Sequence, residues 1–192
     1  MFTEQVRKFF SGITTRVGKT LGKSGFSPNF FTSFILIFGF IAACFICFGS
    51  FWWAIFFILL SGLMDGIDGA VAKVNKKESK FGALFDSTSD KTTEIVFYIA
   101  LGIYNSELWL GASLAIAAFM LSSYISKHAK VIGGKSGGGL MERKERLILI
   151  IAGLIFIDYM IYILYAIAFF SFITCLQRFF RNYNILKKIT PT

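Results

Sequence analysis

Four aspartates between positions 65 and 90 carry the first legible chemistry of this chain: Asp65-x-x-Asp68-Gly69-x-x-Ala72-Lys73, then Gly82-x-x-x-Asp86-x-x-x-Asp90. Asp65 and Asp68 are spaced i,i+3 and Asp86 and Asp90 i,i+4, so on two helices each pair shares one face. Two facing helices that each present two carboxylates suit a hard, oxygen-preferring divalent cation such as Mg²⁺. Solvated acids on a loop need no such spacing. The second pair also runs directly into an apolar stretch, where a carboxylate is costly unless it binds something.

The elements that must position these residues are membrane helices. Apolar residues make up 55% of the chain, Phe alone supplies 24 of 192 residues, and the mean hydropathy is +0.66. Several stretches approach the roughly 20 apolar residues that cross a bilayer. The pattern predicts six spans, near 30–50, 51–72, 83–105, 108–127, 146–159 and 160–178. It leaves no room for a separate soluble catalytic domain. The fold class expected is all-α, a polytopic membrane protein of six transmembrane helices. Residues 1–24 form a preceding unit, in which Phe2, Val6, Phe9, Phe10, Ile13 and Val17 repeat at helical steps among Arg7, Lys8, Arg16, Lys19 and Lys23. That pattern suits an amphipathic helix lying in the headgroup plane. Ser24-Gly25-Phe26-Ser27-Pro28 breaks it, and residues 25–192 form the six-span domain.

Charge sets the orientation. The twenty Lys and Arg fall into four groups, at 7–23, 73–91, 127–146 and 178–188, while the turns around Gly49, Glu107 and Asp158 have none. With six spans all four groups lie on one side, so both termini and the aspartate site face the cytosol. A net charge of +9 that flanks membrane spans points to anionic lipid and phosphate-bearing substrates and away from nucleic acid. Cys44, Cys47 and Cys175 lie within spans and read as small apolar residues. His128, at a basic span end, reads as interfacial.

The aspartate pattern resembles the signature of the CDP-alcohol phosphotransferases, integral membrane enzymes that make phospholipids from a CDP-linked donor and an alcohol. All four aspartates, both glycines and the alanine match at the family's spacing; Lys73 stands where the family usually has Arg, which keeps the charge and loses the bidentate fork. The resemblance implies that Asp65, Asp68 and Asp86, with Asp90 possibly touching as well, hold Mg²⁺ or Mn²⁺, and that Asp90 is the general base on the acceptor hydroxyl. It implies a CDP pocket using Asp65, Asp68, Gly69, Ala72, Lys73 and Gly82, with Asn29 and Thr32 facing the nucleotide from the entry of the first span, Pro28-Asn29-x-x-Thr32. Close helix packing alone would explain Gly62 and Gly66. A homodimer is expected by the same resemblance.

Gly133-Gly134-Lys135-Ser136-Gly137-Gly138-Gly139 reads as a flexible connector between the fourth and fifth spans; it lacks the order of a P-loop and no strand precedes it. The next segment, Glu142-Arg143-x-Glu145-Arg146-Leu147, resembles the family branch whose acceptor is inositol phosphate, with CDP-diacylglycerol or CDP-archaeol as donor. In that branch the corresponding arginines bind the acceptor's phosphate, which implies that role for Arg143 and Arg146. Arg178, Arg181 and Lys127 are candidate partners; after Ser123-Tyr124 the branch's basic residues are matched only in part by Lys127. Glycerol phosphate and serine are the alternative acceptors. A cation-coupled transporter is the alternative of another class, and it accounts for the carboxylates but not for their order.

Overall fold

The computed structural model describes residues 28–75 and 79–189. The predicted amphipathic helix at 1–24 lies outside them. Among the described residues the regular structure is helical: α1 (Pro28–Cys47), α2 (Phe51–Asn75), α3 (Lys80–Tyr104), α4 (Trp109–Val131), α5 (Arg143–Ile155) and α6 (Met160–Ile189), with single 3₁₀ turns at Ser106–Leu108 and Ile157–Tyr159. Each helix coincides with one expected span. The largest difference is at the end of α6, which runs on to Ile189.

Local chemistry sets these boundaries. Pro28 opens α1, the one helical position where a missing N–H is harmless. The helix closes in a Schellman arrangement: Ser50 N–H donates to Phe45 O at 2.9 Å and Gly49 N–H to Ile46 O at 3.0 Å. Gly49 sits at φ 71°, a left-handed conformation that needs no Cβ. Ser79 caps α3 by accepting the Gly82 amide at 2.9 Å. Glu142 and Glu145 form a reciprocal capping box at the start of α5.

Four stretches are long and apolar enough to cross a membrane: Asn29–Cys47, Phe51–Gly69, Ser106–Val131 and Ile157–Lys187. The two predicted spans outside this set have plain physical reasons. α3 carries Lys80, Asp86, Asp90, Lys91 and Glu94 in its first half. α5 has 13 residues, about 20 Å of helix against a hydrocarbon core of about 30 Å.

The chain divides within α3 into two compact units, one up to Phe97 and one from Tyr98. In the first, α1 and α2 form a helical hairpin. Phe45 stacks on Phe57 (5.6 Å, 10°), and Phe31, Ile67 and Val71 form a buried cluster flanked by Leu63 and Met64. Ser61 donates to the Ile35 carbonyl across the pair at 3.1 Å. Gly39 admits α3 closely, since a Cβ there would lie 2.3 Å from Thr93 Cγ2. In the second unit α4 and α6 pack along their lengths and α5 joins α6. Gly111 lies against Leu164 and Gly153 against the Met160 sulfur. The three cysteines are free thiols, and exposed His128 stacks on Tyr124 (5.7 Å, 10°).

Candidate active site

The second half of α2 and the first half of α3 bring three of the four aspartates together. One carboxylate oxygen from each of Asp65, Asp86 and Asp90 lies within 4.8 Å of the other two, and all three side chains are half-buried. The i,i+4 step on α3 places Asp86 and Asp90 on one face, and Asp65 meets them from α2. Like charges about 4 Å apart repel by roughly 4 kcal/mol per pair near a protein surface. A divalent cation between them reverses that sign, and an all-carboxylate donor set suits Mg²⁺ or Mn²⁺. The residues fit the metal.

Asp68 is built differently. It is 6% exposed, and its Oδ2 accepts the Thr32 hydroxyl at 2.5 Å. Thr32 is itself 1% exposed, so its hydroxyl engages Asp68 and ties α1 to α2 at the level of the site. Neither the i,i+3 spacing nor the motif shows this division of labour between Asp65 and Asp68. The signal that could have found it is Thr32, a polar residue in an otherwise apolar helical run.

The glycines separate as well. A Cβ on Gly69 or Gly62 would meet nothing within 4 Å. Helix packing therefore does not account for Gly62, and Gly69 presents open backbone. Gly82 has a structural duty: a Cβ there would lie 3.0 Å from Ser79 Oγ and 3.1 Å from Asn29 Oδ1. It lets the starts of α1 and α3 approach, which sets Asn29 beside the cap of α3. Ala72 and Lys73 belong to α2, and their side-chain surroundings lie outside the described residues.

The basic residues of the second unit surround the glycine-rich segment, which is held throughout rather than flexible. Gly133, Gly137, Gly138 and Gly139 adopt φ values of 87°, 73°, 74° and 143°. Conformations open to glycine alone let the backbone turn toward many partners. The Lys135 amide donates to Asn182 Oδ1 (2.8 Å), that of Gly137 to Ser126 Oγ (2.7 Å), and that of Met141 to Thr174 Oγ1 (2.9 Å). These amides point at protein oxygens, so the segment is no phosphate cradle.

Arg181 donates to the carbonyl of Gly137. Arg178, 8% exposed, donates from Nε to Gly138 O (2.8 Å) and from NH1 to Ser122 O (3.1 Å). Arg146, 6% exposed, lies 4.8 Å over the Phe119 ring and donates to Met141 O at 3.2 Å. Arg143 is half-buried at the first position of α5, and Lys127 is exposed on α4. Sequence reasoning missed Asn182, Ser126 and Thr174 as anchors of this segment. The one sequence signal is Asn182, an uncharged polar group among basic and aromatic residues.

Helices able to span a bilayer, with three aspartate oxygens converging on one point, define a membrane-embedded enzyme that uses a divalent metal. The profile of the CDP-alcohol phosphatidyltransferases matches residues 26–176, and the chain belongs to that family. It is thus a transferase of phospholipid biosynthesis, which decides against the cation transporter. The archaetidylinositol phosphate synthase of Pyrococcus horikoshii is 32% identical over 166 residues, spanning 85% of this chain and 87% of that protein. The phosphatidylinositol phosphate synthase of Mycobacteroides abscessus is 30% identical over 157 residues, spanning 78% and 71%. Among solved structures, the phosphatidylinositol phosphate synthase of Mycobacterium tuberculosis with CDP-DAG bound has a TM-score of 0.80 at 24% identity, covering 89% of this chain and 94% of that one. The same enzyme in complex with manganese and citrate also gives 0.80, covering 88% of each chain. At that identity the likeness establishes the fold.

Proposed function

We propose that this enzyme transfers a phosphatidyl-type group from CDP-diacylglycerol or CDP-archaeol to inositol phosphate, releasing CMP. The observation that carries this reading is the pairing of the converging aspartates with Arg143 and Arg146 in a chain whose curated relatives include synthases of both inositol phosphate lipids. Asp65, Asp86 and Asp90 would hold Mg²⁺ or Mn²⁺, with Asp68 supporting the site through Thr32. The ion, when bound, neutralises the donor's diphosphate and the charge that develops on the departing CMP.

The chain's own groups do the rest. Asn29, Gly69, Ala72, Lys73 and Gly82 line the CDP site, where the open backbone at Gly69 admits the nucleotide. Asp90 takes the proton of the acceptor hydroxyl as that oxygen bonds to the lipid-side phosphorus. The bond from this phosphorus to the CMP oxygen breaks, and CMP leaves with the electron pair. Arg143 and Arg146, with Arg181 and Lys127, attract the acceptor's phosphate, a task suited to planar guanidinium forks. α3 and α5 complete six spans, both termini and the site face the cytosol, an amphipathic helix at 1–24 precedes the domain at 25–192, and the enzyme works as a homodimer.

The test is CMP release by the purified protein with Mg²⁺ or Mn²⁺ and each CDP-lipid, across inositol phosphate, inositol, glycerol phosphate and serine. Preference for inositol phosphate is expected. Preference for another acceptor overturns the branch while leaving the family in place.

A further inference from the structure

We propose that Arg178 is a positioning residue, which with Glu142 latches the 133–139 segment and thereby sets the placement of Arg143; this rests on the acceptor-phosphate reading above. All three nitrogens of the Arg178 guanidinium face protein oxygens. Nε holds Gly138 O at 2.8 Å, NH1 holds Ser122 O at 3.1 Å, and NH2 lies 3.8 Å from Glu142 Oε1. The same Glu142 oxygen accepts the Gly138 amide at 2.9 Å. Gly138 is thus gripped at both its carbonyl and its N–H by one ion pair.

Gly138 at φ 74°, between Gly137 at 73° and Gly139 at 143°, is a point where an unrestrained backbone has wide freedom. The grip removes that freedom. Glu142 also caps α5 through the reciprocal box with Glu145, and Arg143 is the first residue of that helix. The latch therefore runs from α4 at Ser122 through Arg178 and Gly138 to the start of α5. A lysine at 178 could reach one of these oxygens but could not span them as a fork does.

Latch and ligand differ in sign. If Arg178 bound the acceptor's phosphate, removing the neighbouring negative charge of Glu142 would release its guanidinium and lower the acceptor KM. If it is a latch, Glu142→Ala loosens the same segment and raises that KM. Glu142 is half-exposed, so its variant folds even where Arg178→Ala fails to.

The experiment combines hydrogen exchange of residues 133–139 in the substrate-free enzyme with steady-state kinetics of wild type, Glu142→Ala, Arg178→Lys, Arg178→Ala and the double variant. Exchange is expected to rise about tenfold in each, and acceptor KM about tenfold, with donor KM and kcat at saturating acceptor kept within about twofold. The double variant should be no worse than Arg178→Ala alone, because both changes break one contact set. Unchanged exchange in Glu142→Ala, or a lowered acceptor KM in that variant, overturns the latch. So does a matching rise in donor KM, which marks general loss of structure. The exchange arm needs no substrate, so it judges the latch even where wild type rejects inositol phosphate.

Discussion

The aspartates of α2 and α3 and the arginines around the 133–139 segment hold their charge in opposite ways. On the acidic side, three carboxylate oxygens converge within 4.8 Å, an arrangement that disfavours the bare protein and favours a cation. On the basic side, Arg178 and Arg181 direct their donors into backbone carbonyls, and Arg146 rests on an aromatic ring. Convergent like charge implies a ligand, whereas charge turned inward on carbonyls builds the wall of a site. Charged residues in a motif therefore do not all do the same kind of work, and burial with hydrogen-bond partners separates the two kinds.

The acidic side gives the sharpest break. Asp86→Ala or Asp65→Ala is expected to abolish CMP release, a loss of several kcal/mol or roughly a thousandfold or more, with the protein still folded. Turnover that persists in excess chelator, or an active Asp86→Ala enzyme, would sink the metal assignment. Asp90→Asn is nearly isosteric yet cannot take a proton, so turnover should drop by about 10²–10⁴. Donor binding should largely survive, as a titration with CDP-lipid would reveal; near-normal turnover would move the base to another group.

The basic side gives smaller, split effects. Arg143→Ala should raise the acceptor KM about ten- to a hundredfold with thermal stability unchanged, since it loses charge-assisted hydrogen bonds to phosphate. Arg146→Ala should raise it too, but with a clear fall in the unfolding midpoint, because a desolvated cation–π contact of up to about 2 kcal/mol goes with it. Equal midpoints for the two variants would erase the distinction between an approachable and a buried arginine.

Two α1–α2 substitutions come next. Thr32→Val removes a hydrogen bond to a charged group and should destabilise by roughly 1.5–3 kcal/mol, as denaturation in detergent would measure. Gly69→Ala should leave stability equal or about 1 kcal/mol higher, since alanine favours helix and the Cβ meets open space, while raising the donor KM. If both stability and donor KM stay at wild-type values, Gly69 does not border the CDP site.

Much of this was legible without coordinates. The helix positions followed from hydropathy and from the Gly49 and Ser79 boundaries, because local propensity and capping act over a few residues. The metal-binding face of α3 was legible because i,i+4 spacing is a property of any helix. The split between Asp65 and Asp68 was not. It depends on Thr32, which lies 36 positions away and meets Asp68 only once α1 and α2 pair. Nor was the held state of residues 133–139 legible, since glycine content signals conformational freedom and cannot say whether distant side chains remove it.

By itself, then, the sequence determined that this is a helical membrane protein of the CDP-alcohol phosphatidyltransferase family and that four aspartates matter. Periodicity, apolar content and motif spacing are all short-range properties of the chain. Tertiary structure alone decided which aspartates share a point in space, which glycines leave room for a ligand, and which arginines are turned to the backbone. Those outcomes depend on contacts such as Arg178 with Ser122 and Gly138, 56 and 40 positions apart. Only packing brings residues so distant in sequence within hydrogen-bonding reach.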